Sequence, residues 1–355
     1  MIRFLVYLIW VLALMTSGCG LGASRLKNER NYYNQAIQQT NDEQLLLNLV
    51  RLKYRDTPFF MEVSSVTAQF TYTAVADASV SVPEGMAGAF GFGAGVTVQE
   101  KPTVSYSPLQ GEKFIQRVLS PLSLETIALL YHSGWRVDRL FSICLDRLDG
   151  IKNAPTATGP TPNQAPQYED FDELLQIFNK INQKDLMELD FQLHEGLPSL
   201  VIHFDLKTVD DADLKKLEGL LGKTHQEGKL YLAMTLEPDF VRIETRSLLG
   251  VMYYLSQGID IPQDHVAEGR VTLTRDTMGN VFDWKKLTGD LMQIHSSENR
   301  PGSAAIAIRH RGRWFYIDDT DLSSKSTFSL LAQIFSLQAG KIASTAPLLT
   351  IPIGQ

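Results

Sequence analysis

The chain has 355 residues, of which 44% are hydrophobic and 21% are charged, and it carries a formal net charge of −7. This composition is typical of a globular protein and excludes an intrinsically disordered one. The acidic balance, with no block of Lys and Arg, argues against nucleic acid as a partner. The length is enough for one large domain or two ordinary ones, and we expect two.

The first segment of the chain has the parts of a secretory signal. Arg3 makes the start positive, an apolar run extends from Phe4 to Met15, and three small residues, 16–18, precede Cys19. The apolar run is too short to span a bilayer together with its flanks. We therefore expect residues 1–18 to be a signal peptide.

The cysteine that ends this segment makes it resemble the lipobox of bacterial lipoproteins. In that family the signal is removed before the cysteine and the thiol is acylated, which implies a lipid anchor on Cys19 with palmitate as an expected acyl group. The family usually has Leu where this chain has Thr16, three positions before the cysteine. Gly20, rather than Asp, follows the cysteine, which in these families implies the periplasmic face of the outer membrane. Residues 19–30 would be the lipidated tether. A plain secreted protein and an uncleaved anchor are the alternatives.

Cysteine usage limits the covalent structure of the mature chain. With Cys19 acylated, Cys144 is the one cysteine left, so no internal disulfide forms. Cys144 follows Phe141 and Ile143 in an apolar helical pattern, and this setting favours a small buried side chain over a reactive thiol.

Residues 31–150 are expected to form a domain of helices and a long hairpin. We predict a short helix over 31–40 and a second helix that starts at a capping box, Asn41 to Gln44, and stops before Pro58. The apolar stripe of the second helix consists of Leu45, Leu46, Leu49, Val50 and Leu52. The basic residues Arg51, Lys53 and Arg55 suit the C-terminal end of its dipole, and the alternative is that they attract anionic lipid headgroups.

The most unusual stretch is an alternation with a period of two. Every even position from Val66 to Val82 is apolar, whereas the odd positions are mostly Ser, Thr and Gln. After a turn at 83–85 and a glycine-rich run, the alternation resumes in the same parity, so we predict two long amphipathic strands. The residues that we single out as candidate membrane or oligomer contacts are Val66, Phe70, Tyr72, Val80, Val82, Phe90, Phe92, Val96 and Val98.

Two interpretations of this hairpin compete. In the first it is a long arm of a periplasmic sheet, covered by a helix and bent at Ala74–Asp77. In the second it inserts into the membrane, which requires several chains to donate hairpins because one hairpin cannot close a barrel. A lipid anchor combined with a donated hairpin resembles, in layout only, the curli secretion channel and other ring-forming lipoproteins. Insertion of the tip alone, or a disordered loop, remains a third interpretation.

The hairpin is followed by a helical layer and then by a proline-rich segment. Apolar spacing predicts helices over 114–121, 123–134 and 135–148, with His132 as a helix C-terminal residue. Residues 151–170 contain four prolines, so we expect an exposed loop or linker there and place the domain boundary in it.

Residues 171–355 are expected to form an α+β domain, an antiparallel sheet with helices on one face. Strands are predicted over 187–193 and 200–206, and a helix over 210–221. Two later segments, 230–258 and 304–340, each read as a hairpin followed by a capped helix, which suggests a duplicated β-β-α module.

The residues that most suggest chemistry are Asp318, Asp319 and Asp321. Three acids this close could hold a hard cation, but a strand end, an Asx-turn and a helix N-cap explain them equally. The seven histidines are dispersed, and no catalytic motif occurs. We expect no cofactor.

These features together predict an α+β fold in which a long amphipathic hairpin and a helical layer precede an antiparallel sheet. The expected function is that of a lipid-anchored, non-catalytic structural or assembly component of the cell envelope. Its partners would be the membrane, through the anchor, and other envelope proteins or further copies of itself. The alternative is a periplasmic hydrolase or ligand-binding protein with a site between the two halves.

Overall fold

The computed structural model describes residues 21–81, 89–160, 162–339 and 349–352, and side chains within 31–66, 103–160 and 162–339. The predicted signal peptide, Cys19 and Val82 lie outside these residues. The chain divides into two compact units. The larger unit comprises Met1–Pro58 and Gln116–Gln338, and the smaller unit, which we call the hairpin unit, comprises Phe59–Ile115 and Ala339–Gln355.

The hairpin unit is built on two long strands, β1 (Phe60–Ser81) and β2 (Ala89–Leu109), which pair antiparallel. Both strands contain the segments predicted by the alternation but are longer: β1 begins six residues before Val66, and β2 includes residues 89–95 of the glycine-rich run, which the sequence placed between the strands. Their register shifts once, between Val63 and Ser65, where the Ser64 hydroxyl donates to the Ser105 carbonyl oxygen at 3.0 Å. From this bulge onward the pairing is regular through Ala74–Asp77, where the sequence suggested a bend.

A third strand completes the base of this sheet. Strand β12 (Leu349–Pro352) pairs antiparallel with Thr103–Tyr106 of β2, which gives the strand order β1-β2-β12. Its pairing with a strand more than 200 residues earlier leaves no local pattern, and the sequence did not predict it. At this base, Phe60 and Phe114 pack edge-to-face with ring centroids 6.0 Å apart.

The larger unit begins with one long helix, α1 (Leu21–Lys53). The prediction of a short helix and a separate capped helix at Asn41 was wrong, because the helix runs through the proposed cap. Asn within a helix costs well under 1 kcal/mol, which is too little to end a helix that is buried beyond it. The described part of the proposed tether, residues 21–30, is helical as well. All five residues of the predicted apolar stripe are buried.

Three helices follow the hairpin strands: α2 (Glu112–Leu119), α3 (Leu124–His132) and α4 (Val137–Cys144). The Ser123 hydroxyl caps α3 by accepting from the Thr126 amide at 3.2 Å. The predicted third helix is too long, because the chain passes from α4 directly into strand β3 (Leu145–Leu148). The apolar residues at the end of the predicted helix can be buried in a strand as well as on a helix face. Hydrogen bonding to residues 243–245, about 100 positions later, places them in a strand.

The proline-rich segment is packed within the larger unit. It contains strand β4 (Ile151–Lys152) and a 3-10 turn at Pro155–Thr158, and Ala154 and Ala157 are fully buried. The Asn153 side chain donates to the carbonyl oxygen of Leu145 at 2.8 Å. The two units therefore do not divide at 151–170, where the boundary was predicted. Prolines cannot donate the backbone hydrogen bonds of a sheet, and in this segment side-chain hydrogen bonds such as that of Asn153 satisfy buried carbonyl groups instead.

A six-stranded sheet forms the centre of the larger unit, in the order β4-β3-β8-β7-β6-β5. Its later strands are β5 (Met187–His194), β6 (Leu197–Phe204), β7 (Lys229–Ala233) and β8 (Val241–Thr245). The flanking helices are α5 (Glu169–Asn182), α6 (Asp211–Leu221) and α7 (Leu248–Ser256). The α+β prediction is confirmed. The sheet is mixed rather than purely antiparallel, because β7 and β8 run parallel.

A smaller sheet has the order β10-β11-β9. Its strands are β9 (His295–Ser297), β10 (Ala304–His310) and β11 (Arg313–Asp318), and the helices around it are α8 (Gln263–Ala267), α9 (Lys285–Thr288) and α10 (Leu322–Ala339). The predicted β-β-α duplication is wrong. β10 and β11 form an antiparallel hairpin, whereas β7 and β8 are parallel neighbours in the other sheet.

Candidate functional sites

The hairpin brings the predicted contact residues into register. The pairing sets Phe70 opposite Glu100, Tyr72 opposite Val98, Ala74 opposite Val96, Ala78 opposite Phe92 and Val80 opposite Phe90. Beyond the bulge, from Ser65 onward, even-numbered positions therefore lie opposite even-numbered positions, in keeping with the shared parity of the two alternating segments. Within the described residues, no third strand pairs with the hairpin except at Thr103–Tyr106.

The three acids near the start of α10 are engaged in local structure. Asp318 accepts from the amide and the hydroxyl of Thr320 at 2.9 and 2.6 Å, and the hydroxyl lowers the pKa of its carboxyl group. Asp321 caps α10 by accepting from the Ser324 amide at 3.0 Å. Asp319 forms an ion pair with Lys325 at 2.7 Å. These are the Asx-turn and N-cap contacts of the second interpretation, and the described residues contain no group of three side chains placed to hold a metal ion.

The two residues considered for reactivity have structural settings. Cys144 is fully buried at the end of α4, and burial raises the pKa of its thiol to about 12, so a thiolate does not form at neutral pH. His132 ends α3, as predicted, with its ring 3.3 Å from the exposed carboxylate of Asp190.

A cluster that the sequence did not reveal surrounds Tyr54, just after the end of α1. The Tyr54 hydroxyl lies 2.6 Å from Nδ1 of His265 on α8, and the two rings pack edge-to-face. The ring of His310 also packs against Tyr54, with centroids 5.5 Å apart, and its Nε2 lies 3.2 Å from Asp56. Tyr54 and Asp56 are more than 200 positions from both histidines, so no local spacing could have indicated the cluster.

The electrostatics of this cluster favour neutral groups. Burial raises the pKa of Tyr54 to about 12 and lowers the pKa values of His265 and His310. The Tyr54 phenol and the His265 imidazole therefore share their hydrogen bond as neutral groups. Tyr54 and His265 are both almost completely buried, which suits a contact that fixes the end of α1 against α8 and the β10–β11 hairpin.

A pocket of about 370 Å³ lies beside this cluster, within the larger unit. Half of the residues that line it are apolar or aromatic, and these include Ile259, Ile261, Val271, Leu273, Phe282 and Trp284. Lys53, the last residue of α1, reaches it together with Gln257, Asp260 and Lys285. Such a combination of an apolar wall and a few polar groups is typical of small-molecule sites.

Lys53 has an uncommon environment for a lysine. Its Nζ donates to the side-chain oxygen of Gln257 at 2.9 Å, and burial lowers its pKa to about 8. The nearby carboxylate of Asp260 lies instead 3.6 Å from Lys285 and 3.2 Å from His295. Among the described residues, Lys53 forms no ion pair. The sequence placed this residue in a basic cluster suited to the helix dipole, and its burial depends on segments 200 residues away.

The chain matches no protein-family model, no curated protein and no solved structure. By its fold it is an α+β protein made of a larger unit of sheets and helices and a smaller unit built on a long hairpin. In the parts of the chain that the structure describes, none of the helices combines the length and the apolar character needed to cross a bilayer.

Proposed function

We propose that this chain is a lipid-anchored protein of the bacterial cell envelope that acts as a non-catalytic assembly component. Its hairpin β1–β2 would bind further copies of the same chain. The observation that carries the proposal is that the hairpin strands, Phe60–Ser81 and Ala89–Leu109, are much longer than the third strand. Within the described residues, that strand pairs only with Thr103–Tyr106, so the rest of the hairpin has no neighbouring strand.

A hairpin of this length needs a partner for physical reasons. Two strands alone are marginally stable in water, and a sheet becomes stable when further strands or an apolar partner cover it. The strand edges also present unpaired amide and carbonyl groups, which favour addition of another strand.

A second copy is the partner that suits these edges best. Both strands alternate apolar and polar residues, with Glu100 and Pro102 interrupting the apolar positions of β2, and beyond the bulge the register sets equal parities opposite each other. Neighbouring copies can therefore add strand to strand with their apolar positions on one side. Repetition of one such contact around an axis closes a ring, which would also remove the open edges that lipid does not tolerate.

The location follows from the sequence of the first twenty residues. An acylated Cys19 would hold the protein on the periplasmic face of the outer membrane, so that the copies meet on one surface. Mass spectrometry of the mature chain should find acyl groups on Cys19 and no residues before it. A Cys19→Ser variant should stay uncleaved, and an intact Met1 in the wild-type protein would contradict the anchor.

A shortened hairpin tests the assembly role. Thr67 and Thr103 lie directly opposite each other, so replacing residues 68–102 with Asn-Gly should close a two-residue turn and keep the β12 pairing. We expect the wild-type protein in detergent to elute as an oligomer and the shortened protein as a monomer, measured by size-exclusion chromatography with light scattering. Equal masses for the two proteins, or a monomeric wild type, would contradict the proposal.

A length-matched comparison separates the apolar positions from the polar ones. Tyr72 and Val98 are opposite each other, as are Thr73 and Thr97 one position further along. Changing both members of the first pair to Ser should weaken assembly at least tenfold in the concentration at half-dissociation. The same change in the second pair should leave assembly within about twofold of wild type.

A further inference from the structure

We propose that the pocket at the end of α1 is a binding site for a small apolar carboxylate, whose anionic group pairs with Lys53 and whose hydrocarbon part contacts the pocket wall. This site lies within the larger unit and does not depend on the assembly role of the hairpin. Its occupant is defined by two properties of the pocket, its charge and its wall.

The two lysines and two aspartates that line the pocket balance in formal charge, but among the described residues Lys53 has no carboxylate within ion-pair distance. Of the charged groups that line it, Asp260 lies near both Lys285 and His295, at 3.6 and 3.2 Å. The Asp283 carboxylate accepts from the backbone amide of Lys285 at 3.0 Å. Lys53 has a neutral partner, the amide oxygen of Gln257. A carboxylate on a ligand would neutralise the Lys53 ammonium group and accept charge-assisted hydrogen bonds from it.

The wall of the pocket specifies the rest of the ligand. Phe282 and Trp284 pack edge-to-face with centroids 5.2 Å apart, and the indole nitrogen of Trp284 donates to the Thr274 hydroxyl at 3.1 Å. Both rings line the pocket, together with the aliphatic side chains of Ile259 and Leu273. A pocket of about 370 Å³ with such a wall excludes a large polar ligand and favours a compact aliphatic or aromatic acid.

The position of Lys53 also suits a functional role. A partly buried lysine whose partner is a neutral amide stabilises the fold less than an apolar side chain would, so Lys53 has no evident structural benefit. Arg55, two residues later, already anchors the end of α1 through the Thr272 hydroxyl. Lys53 is therefore available for a ligand.

The test is a titration of the full-length chain with 1-naphthoate, followed by its fluorescence, with neutral 1-naphthamide as the matched probe. The detergent is kept below its micelle concentration so that micelles do not compete. We expect saturable binding of the carboxylate, at least tenfold tighter than binding of the amide, and displacement by octanoate. Equal binding of the two probes, or no saturable binding of naphthoate, would overturn the proposal.

Two lysine variants locate the site. Lys53→Met should weaken naphthoate binding at least tenfold, while Lys285→Met, which removes a cation already near Asp260, should change it less than about threefold. Thermal unfolding of both variants shows whether they are folded. Naphthoate binding that survives Lys53→Met, or that Lys285→Met abolishes instead, would assign the probe to another place on the protein and overturn the proposal.

The pH dependence gives a second readout. The charged groups that line the pocket with Lys53 are Asp260, Asp283 and Lys285, and His265, which precedes the lining residue Val266, is bonded to Tyr54. Because the pKa of Lys53 is about 8, its ammonium form is lost as the pH rises above that value. Naphthoate should therefore bind at least tenfold more weakly at pH 9.5 than at pH 7, and naphthamide equally at both. An affinity for naphthoate that does not change with pH would contradict a contact with Lys53.

Discussion

The guanidinium carbon of Arg246 lies 4.1 Å from the centroid of the Tyr254 ring, in the interior of the larger unit. The arginine side chain is fully buried. It donates to the carbonyl oxygens of Ser142 at 2.8 Å and Ile143 at 3.1 Å, near the end of α4, and to that of Asn153 in the proline-rich segment. One side chain thus joins α4, residues 151–170 and α7, because five guanidinium donors suit carbonyl groups that helix and strand leave unpaired.

Replacing this arginine should be among the most damaging changes in the chain. Arg246→Met would leave several buried carbonyl groups without a donor, so we expect a loss of roughly 3 kcal/mol or more in the free energy of unfolding. Urea denaturation measures it. Arg242→Met on β8, which removes a partly exposed pair with Glu244, is the control and should cost less than about 1 kcal/mol. A similar decrease in the free energy of unfolding in both variants would contradict a particular role of Arg246 in joining these elements.

Lys53→Met should make the protein more stable at neutral pH. The pKa of Lys53 is lowered from 10.5 to about 8, so below pH 8 the folded state holds an ammonium group that burial disfavours. This cost fades as the pH rises from about 8 to 10.5, where both states lose the proton. We expect a gain of roughly 1–3 kcal/mol at pH 7 and little gain at pH 10.5, measured by urea denaturation. A variant that is less stable than wild type at pH 7 would contradict this account.

Mild acid should destabilise the cluster around Tyr54. The pKa values of His265 and His310 are lowered from 6.5 by burial, so the unfolded chain takes up protons before the folded one does. The contribution of these two neutral histidines to the free energy of unfolding is therefore fully present above about pH 6.5, and it decreases as the pH falls towards their pKa values in the folded state.

The measurement is the urea midpoint between pH 7.5 and 5.5. His265→Gln with His310→Gln should lower the midpoint at pH 7.5 but flatten its dependence on pH. His132→Gln, at the exposed end of α3 and outside the cluster, is the control for the His-to-Gln change and should leave the midpoint at pH 7.5 close to that of wild type. A double variant with the wild-type slope would assign the acid sensitivity to other groups.

The acids before α10 should differ in their effect on stability. Asp321→Ala removes the N-cap contact with the Ser324 amide and should cost about 1 kcal/mol. Asp319→Ala removes only an exposed ion pair with Lys325 and should cost less than about 0.5 kcal/mol. Thermal unfolding with and without calcium completes the test, and a calcium-dependent rise in the midpoint would restore the metal interpretation of these acids.

Local periodicity accounts for what could be predicted of the fold. The alternation from Val66 predicted most of both hairpin strands and their parity, and the register from Val66 opposite Val104 follows it, whereas the strand start at Ala89 in the glycine-rich run was not predicted. Helix signals were equally dependable where both ends carried them, since α6 begins after the Asp210 cap and ends at Gly222 with a φ of 63°. At Asn41, a cap-like pattern inside a helix misled the prediction because burial of the following turns outweighed it.

The amino-acid sequence alone determined the parts of this protein that depend on neighbours two to four positions apart: most of the hairpin strands and the buried face of α1. Only the tertiary structure decided that β8 lies parallel to β7, that β12 joins the hairpin sheet and that Lys53 donates a hydrogen bond to Gln257 beside a pocket. The physical reason is distance along the chain. A strand partner or a desolvated charge depends on which remote segment packs against it, and neither leaves a periodic pattern in the residues around it.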